Sequence, residues 1–428
     1  IIVPTSGRLT EQATRLAEAH AKHDGLRAAV VRADQIYNEF SSGTPDATAY
    51  RRLLKMLYDR HVGTDAAPRY LLLMGDCAWD NRMVSTAWKK YNPDDYLLCY
   101  ESENSLTSTS SYVMEDYFAL MDDGEGGDLL KDKPDLGVGR FPVTTAEEAK
   151  VMVDKTIAYL EGNQAGSWRN LVCMLGDDGD ANEHMKSCND VAEMVKRNQK
   201  SIELRKVMWD AYDRVSTASS NGYPQVTKLL RKQMKDGAAV MNYMGHANTY
   251  ALSHEFVLMK EDFADNKTDR LGLWVTAACD VMPFDGQVEN TGETAVLTAG
   301  GGAMAFFGTA RTVYASQNRA MNLNFMKYLF ERDEKGRRNT IGDAICLSKN
   351  AIIASGSESI YKENKLQYAL LGDPALVIGA PTNKVALDSI NGKPVAETSQ
   401  LKAGQKITLC GHITDERDTP LTDFTGVL

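Results

Sequence analysis

The feature that most restricts this chain is an alternation. Short apolar runs, long enough for a buried strand and too short for a buried helix, alternate with stretches whose apolar residues recur at helical spacing. Runs that are apolar throughout must be covered on both faces, and the intervening helices supply the cover. The pattern predicts an α/β fold with a largely parallel sheet. In the first half, strands are expected over 25–31, 70–74 and 136–139, and helices over 46–62 and 144–161. Pro45-Asp46 opens the first helix, and Thr144 or Thr145 with Glu147 and Glu148 opens the second. Residues 107–117 read as polar loop or edge structure. Composition turns small and polar near 164–167, which divides the chain into an N-terminal subdomain over 1–165 and a second over 166–380. The second restarts the pattern with strands over 170–175, 203–209, 238–243, 273–277, 303–308 and 370–378. Its helices fall over 183–198, 227–235, 318–332 and 340–354. After Ala380-Pro381 the helical period ends. The runs 385–389 and 405–410 and the Asn391-Gly392 turn predict an incomplete β module over 381–428.

A length of 428 residues suits two to three domains. The formal charge of −10 argues against a basic face for nucleic acid. No apolar run approaches the roughly 20 residues that span a bilayer. The chain opens without a signal-peptide pattern and closes inside a strand-like run, so both ends read as cut from a longer protein. Seven scattered cysteines, with no C-x-x-C pair, fit neither a zinc site nor a disulfide framework. Most read as small buried apolar residues.

Two segments can carry chemistry. In AVMNYMGHA, 239–247, an apolar strand ends at Gly245 and His246 follows. In GLWVTAACD, 272–280, another ends in small residues and Cys279 follows. Ligands in an open parallel sheet gather beyond the carboxyl ends of the strands, so an imidazole and a thiol at two such ends can meet. A nearby imidazole lowers the pKa of a thiol and later protonates a leaving amine. The N–H groups of Gly245 and Cys279 are the expected oxyanion donors. His184 and His254 read as structural. Cys77 also follows a strand, after Gly75-Asp76, but no histidine stands at a matching strand end in that half. Asp122, Asp123, Glu125 and Asp128 offer hard oxygen ligands for a structural calcium ion, without EF-hand spacing; an exposed acidic loop is the plainer reading.

NYMGHA followed by TAACD resembles the Tyr-x-Gly-His-Gly and Ala-Cys motifs of the family C25 cysteine peptidases, the gingipains and their relatives. LLLMGDCAWDNR at 71–82, DLGVGRFPVTTAEEAKVMVDKTIAYLEG at 135–162 and LLGDPALVIG at 370–379 agree in order, so the resemblance covers nearly 1–380. IYNEFSSGTPDATAYRRLLKMLYDR at 36–60 resembles the sortase-like members of that family. The resemblance implies a caspase-like α/β/α sandwich in two subdomains, the first non-catalytic, followed by immunoglobulin-like β modules. It places His246 and Cys279 at the catalytic positions and requires no cofactor. It further implies a third, acidic residue that orients the histidine, best matched by Asp177 and next by Asp178 in LGDDGD. Ala247 stands where the motif has glycine, so the loop there is expected to differ.

The implied reaction is cleavage of the C-terminal sorting signal of exported cargo, with the acyl group passed to a lipopolysaccharide amine or to water. The implied place is the bacterial cell surface at the outer membrane, with type IX secretion-system components as partners. Two alternatives stay open. One is a general gingipain-like endopeptidase for basic P1 residues, with Asp280 or Asp285 at the base of its pocket. The other is a binding scaffold that kept the fold and lost activity.

Overall fold

The computed structural model describes residues 1–103, 111–162, 165–216, 221–332, 336–356, 362–379, 383–397, 400–415 and 418–424. Ten strands build one sheet: β1 (Ile2–Val3), β2 (Val31–Arg32), β3 (Tyr70–Met74), β4 (Gly137–Phe141), β5 (Leu171–Gly176), β6 (Glu203–Met208), β7 (Val240–Met244), β8 (Leu273–Ala277), β9 (Ala305–Thr309) and β10 (Tyr368–Leu371). Their order is β2-β1-β3-β4-β10-β9-β8-β7-β5-β6. The central strands are buried along their length, as uninterrupted apolar runs require. At the edge, β6 reads ELRKVM and is mostly exposed, a charged rim that discourages pairing with another chain.

Eight of the nine neighbouring pairs are parallel, as expected, in two blocks of five strands. The junction is not: β10 is parallel to β4 but antiparallel to β9. The last strand of the second half therefore joins the sheet to the first half, and the sheet runs unbroken across the 165/166 division. Of the linker expected near 164–167, residue 164 lies outside the described residues, as do residues 107–110 of the polar run 107–117.

Helix starts follow the sequence closely. Asp46 caps Ala47–His61 by accepting from the Thr48 N–H at 2.8 Å. Thr145 and Glu148 form a capping box on Ala146–Leu160, and Thr340 and Asp343 form one on Ile341–Ala354. Three strand expectations are corrected. Over 25–31 only Val31 is paired, because most of this run lies exposed beyond the sheet edge. The strand expected over 370–378 is Tyr368–Leu371; after Gly372, at φ 153°, the chain leaves the sheet through Pro374, which has no N–H to give a ladder. The strand expected over 405–410 is Leu409–Asp415, which pairs with Asn383–Ile390 in a small antiparallel sheet. The Asn391-Gly392 turn forms as expected, both residues at positive φ. Among the described residues no helix is long and apolar enough to cross a membrane.

The first block is fastened by Arg140, whose side chain is 0% exposed. Its guanidinium donates to both Glu115 oxygens, at 3.1 and 3.0 Å, to Gly75 O at 2.6 Å and to Leu98 O at 3.1 Å. One cation thus ties β4 to the loops after β3. Arg140→Met would leave Glu115 buried and unpaired, and should cost about 3–5 kcal/mol, read from the urea midpoint. A loss under about 1 kcal/mol would show that the pair contributes little there.

Candidate active site

β7 and β8 are adjacent and parallel, with Met244 opposite Ala277 in the ladder. His246 lies two residues beyond Met244 and Cys279 two beyond Ala277. The pairing therefore delivers both to the carboxyl-end rim of neighbouring strands, as expected from the sequence.

The backbone of His246 is held on both sides. Its N–H donates to Asp177 Oδ2 at 3.0 Å, and its carbonyl accepts from the Tyr243 hydroxyl at 2.6 Å and the Ser253 N–H at 2.7 Å. Tyr243 lies 3.1 Å from the same Asp177 oxygen. Asp177 also accepts from the Gly179 N–H at 3.0 Å, and its own N–H donates to Met244 O. Asp177 is thus fully buried and committed to backbone and hydroxyl donors. The Asp177 carboxylate, expected to orient the histidine, meets it through the main chain. The carboxylate facing the ring is Asp180, with Oδ1 3.4 Å from Nε2.

Gly245 is glycine for room. A Cβ there would stand 2.3 Å from the Tyr243 hydroxyl and 2.4 Å from Asp177 Cβ. Gly179 plays the same part under the ring, where a Cβ would meet His246 Nε2 at 2.9 Å. The Gly245 N–H, expected to face an oxyanion, instead donates to Ala277 O at 3.3 Å, because the ladder between β7 and β8 continues one residue past the strand. Among the described residues the Cys279 N–H has no acceptor. Ala247 is not at positive φ; it opens a short strand paired with Leu252, which is why alanine is accepted there.

Two histidines read as structural touch the site. His184 packs edge-on against His246 with ring centroids 4.8 Å apart, and His254 stacks on it at 4.2 Å. Neither could be placed by strand-end reasoning, since His184 comes from the helix over Gly179–Asn198 and His254 from a loop. Asp180 and His184 stand four residues apart, and that spacing on a helix start was the available signal. Asp180, Ala181 and Asn182 all adopt left-handed φ, and this turn brings the Asp180 carboxylate back over the rim.

The thiol of Cys279 donates to Val313 O at 3.2 Å. Burial pushes its pKa up, and Asp280 and Asp180 add to the rise against the pull of Val313. The shift runs opposite to the lowering expected beside an imidazole. Asp285, considered for a specificity pocket, is spent on a buried pair with Arg311, at 2.8 and 2.5 Å. Asp280 accepts from Thr312 at 2.8 Å. Cys77 is fully buried, its thiol directed at Phe284 O. In the acidic loop, Glu125 accepts from the Asp122 and Lys133 N–H groups, while Asp123 and Asp128 pair with Lys55 and Lys131. Among the described residues, the acidic and histidine side chains whose ligand atoms converge within 4.8 Å lie elsewhere: Asp180, His184 and His246, and separately Asp177, Asp178 and Glu255. The latter set is already answered by Arg214, 3.6 Å from Asp178 and 2.8 Å from Glu255.

A doubly flanked parallel sheet that presents a thiol and an imidazole at adjacent strand ends defines a cysteine-type peptidase, and residues 1–379 match Peptidase family C25, to which the chain belongs. Among solved structures it is similar to the Arg-specific cysteine proteinase gingipain R, with 16% identity, a TM-score of 0.64, and coverage of 90% of this chain and 80% of that one. It is also similar to dimeric latent PorU from Porphyromonas gingivalis, with 27% identity, a TM-score of 0.53 and coverage of 98% of this chain. The chain spans 34% of the length of that PorU. No curated relative matches the sequence.

The raised thiol pKa has a measurable consequence. Less thiolate is present at neutral pH than for an ordinary cysteine, so alkylation of Cys279 by iodoacetamide should reach half its limiting rate at a higher pH than a reference cysteine peptide. Peptide-resolved mass spectrometry separates Cys279 from the other thiols. A midpoint at or below the reference would mean the thiolate is already formed at rest.

Proposed function

We propose that this chain is the peptidase unit of a sortase-like enzyme that removes the C-terminal sorting signal of exported cargo. The observation that carries the reading is the shared register of β7 and β8, which puts His246 and Cys279 on one rim. The likeness to PorU over 98% of the chain supports the sortase-like branch over a general endopeptidase. So does the engagement of Asp285 with Arg311, which leaves that carboxylate no part in holding a basic P1 side chain.

In this mechanism the thiol proton of Cys279 passes to His246, and the sulfur attacks the scissile carbonyl. The oxyanion forms against the Cys279 N–H. Collapse breaks the C–N bond, the imidazolium gives its proton to the leaving amine, and a thioester remains. An incoming amine, or water, then loses a proton to His246 and takes the acyl group. Asp177 acts as a positioning residue, since it holds the His246 main chain. The acceptor is an amine on lipopolysaccharide, and the place of action is the bacterial cell surface, beside type IX secretion components of the outer membrane. The non-enzymatic scaffold reading leaves the clamped histidine without a purpose.

Incubation with a cargo protein bearing its sorting signal tests the reading. Wild type should release the signal, and mass spectrometry of the new C-terminus should show an amide conjugate or a free acid. Cys279→Ala and His246→Ala should each lose at least about a thousandfold in rate. Equal processing by wild type and Cys279→Ala would end the proposal.

A further inference from the structure

Asp180, His184 and His246 present one ligand atom each to a common space. Asp180 is the hinge of the set: its Oδ2 lies 3.4 Å from His184 Nε2 and its Oδ1 lies 3.4 Å from His246 Nε2. Ligands about 2.0–2.2 Å from a tetrahedral zinc stand roughly 3.3–3.5 Å from one another, and each imidazole nitrogen already stands that far from one of the two Asp180 oxygens. A second, independent feature points to a ligand. His184 is only 4% exposed, yet its Nε2 makes no hydrogen bond. A buried ring nitrogen left unsatisfied, and aimed at a carboxylate and a second imidazole, is costly unless something occupies the space between them.

We propose that Asp180, His184 and His246 form a site for a divalent transition-metal ion of the zinc type, which masks the His246 imidazole. Two imidazoles and one carboxylate suit zinc and its first-row neighbours, whereas calcium takes six to eight oxygens. Three protein ligands leave a fourth position for water. Asp180 is half exposed, so the ion has an entry path, and the left-handed turn over Asp180–Asn182 lets that carboxylate settle onto the metal. A metal-held Nε2 has no lone pair with which to take the Cys279 proton. This silencing rests on the proposed role of His246 as the base, but the binding itself does not. The loaded form is then a resting state that a chelator opens.

The test uses the full chain carrying Cys279→Ala, which removes the thiol as a competing ligand and keeps all three proposed ones. Zinc is titrated in competition with a chromophoric chelator, and cobalt(II) reports geometry through its visible absorption. One ion per chain and a tetrahedral cobalt spectrum are expected. Adding Asp180→Asn or His184→Gln should weaken binding by roughly tenfold or more. Asp180→Asn alters an exposed side chain, and matching thermal melts without metal verify that the fold is kept. Undiminished zinc affinity in both double variants, or no binding in Cys279→Ala, would overturn the site. A wild type that loads zinc through His184 and still processes no cargo after a chelator has removed the metal would leave the site standing and end only the peptidase reading.

Discussion

The site depends on the register between β7 and β8. Five ladder positions, from Val240 opposite Leu273 to Met244 opposite Ala277, fix where each strand stops. A slip of one residue would turn every side chain of one strand to the other face and separate the imidazole from the thiol. The slip is opposed by burial on both sides of the sheet. Trp274 packs against Phe263 on one face, while Asn242 exchanges paired amide hydrogen bonds with Asn322 on the helix over Ala315–Phe330. Neither contact survives a shift, so the packing of the second block specifies the position of its chemistry.

Beyond the strand ends, precision comes from a buried carboxylate. Asp177 gathers donors from the main chain of His246, from Gly179 and from Tyr243, and Tyr243 in turn holds the His246 carbonyl. Charge-assisted bonds of this kind are about twice as strong as neutral ones. They act on the backbone, which leaves the ring free to turn between partners. His254 and His184 border it on two sides and Asp180 faces its Nε2. The arrangement fixes where the imidazole is attached more tightly than what it points at, which suits the proposed mechanism, in which the ring faces first a thiol and then a leaving amine.

How much of this was legible in the sequence follows from which signals are local. The strand ends at Gly245-His246 and Ala278-Cys279 were readable because burial writes itself as apolar runs. So were the helix caps at Asp46 and Thr145. The antiparallel entry of β10 was not, because periodicity carries no strand direction. Over 25–31 the apolar run misled, because most of it lies outside the sheet. The resemblance pointed to Asp177, which the structure buries beside the histidine, but no linear pattern tells a carboxylate that binds a ring from one that binds the adjoining N–H. Asp180 escaped notice because its position requires three consecutive left-handed residues, none of them glycine. Such a turn costs about 1–2 kcal/mol per residue, so propensity argues against it and only the tertiary contacts make it hold.

These carboxylates also explain the state of the thiol. Desolvation is the larger cause of the raised Cys279 pKa, and Asp280 and Asp180 work in the same direction. A nucleophile built for constant activity would stand in a positive field. This one stands in a negative field, with its proton engaged by Val313 O. Thiolate formation must then be coupled to an event that brings a positive charge to the rim or moves the Val313 segment. In the proposed mechanism, transfer of the thiol proton to His246 supplies such a charge beside Asp180. Proton transfer and attack are then expected to occur together on a bound substrate rather than from a thiolate formed in advance.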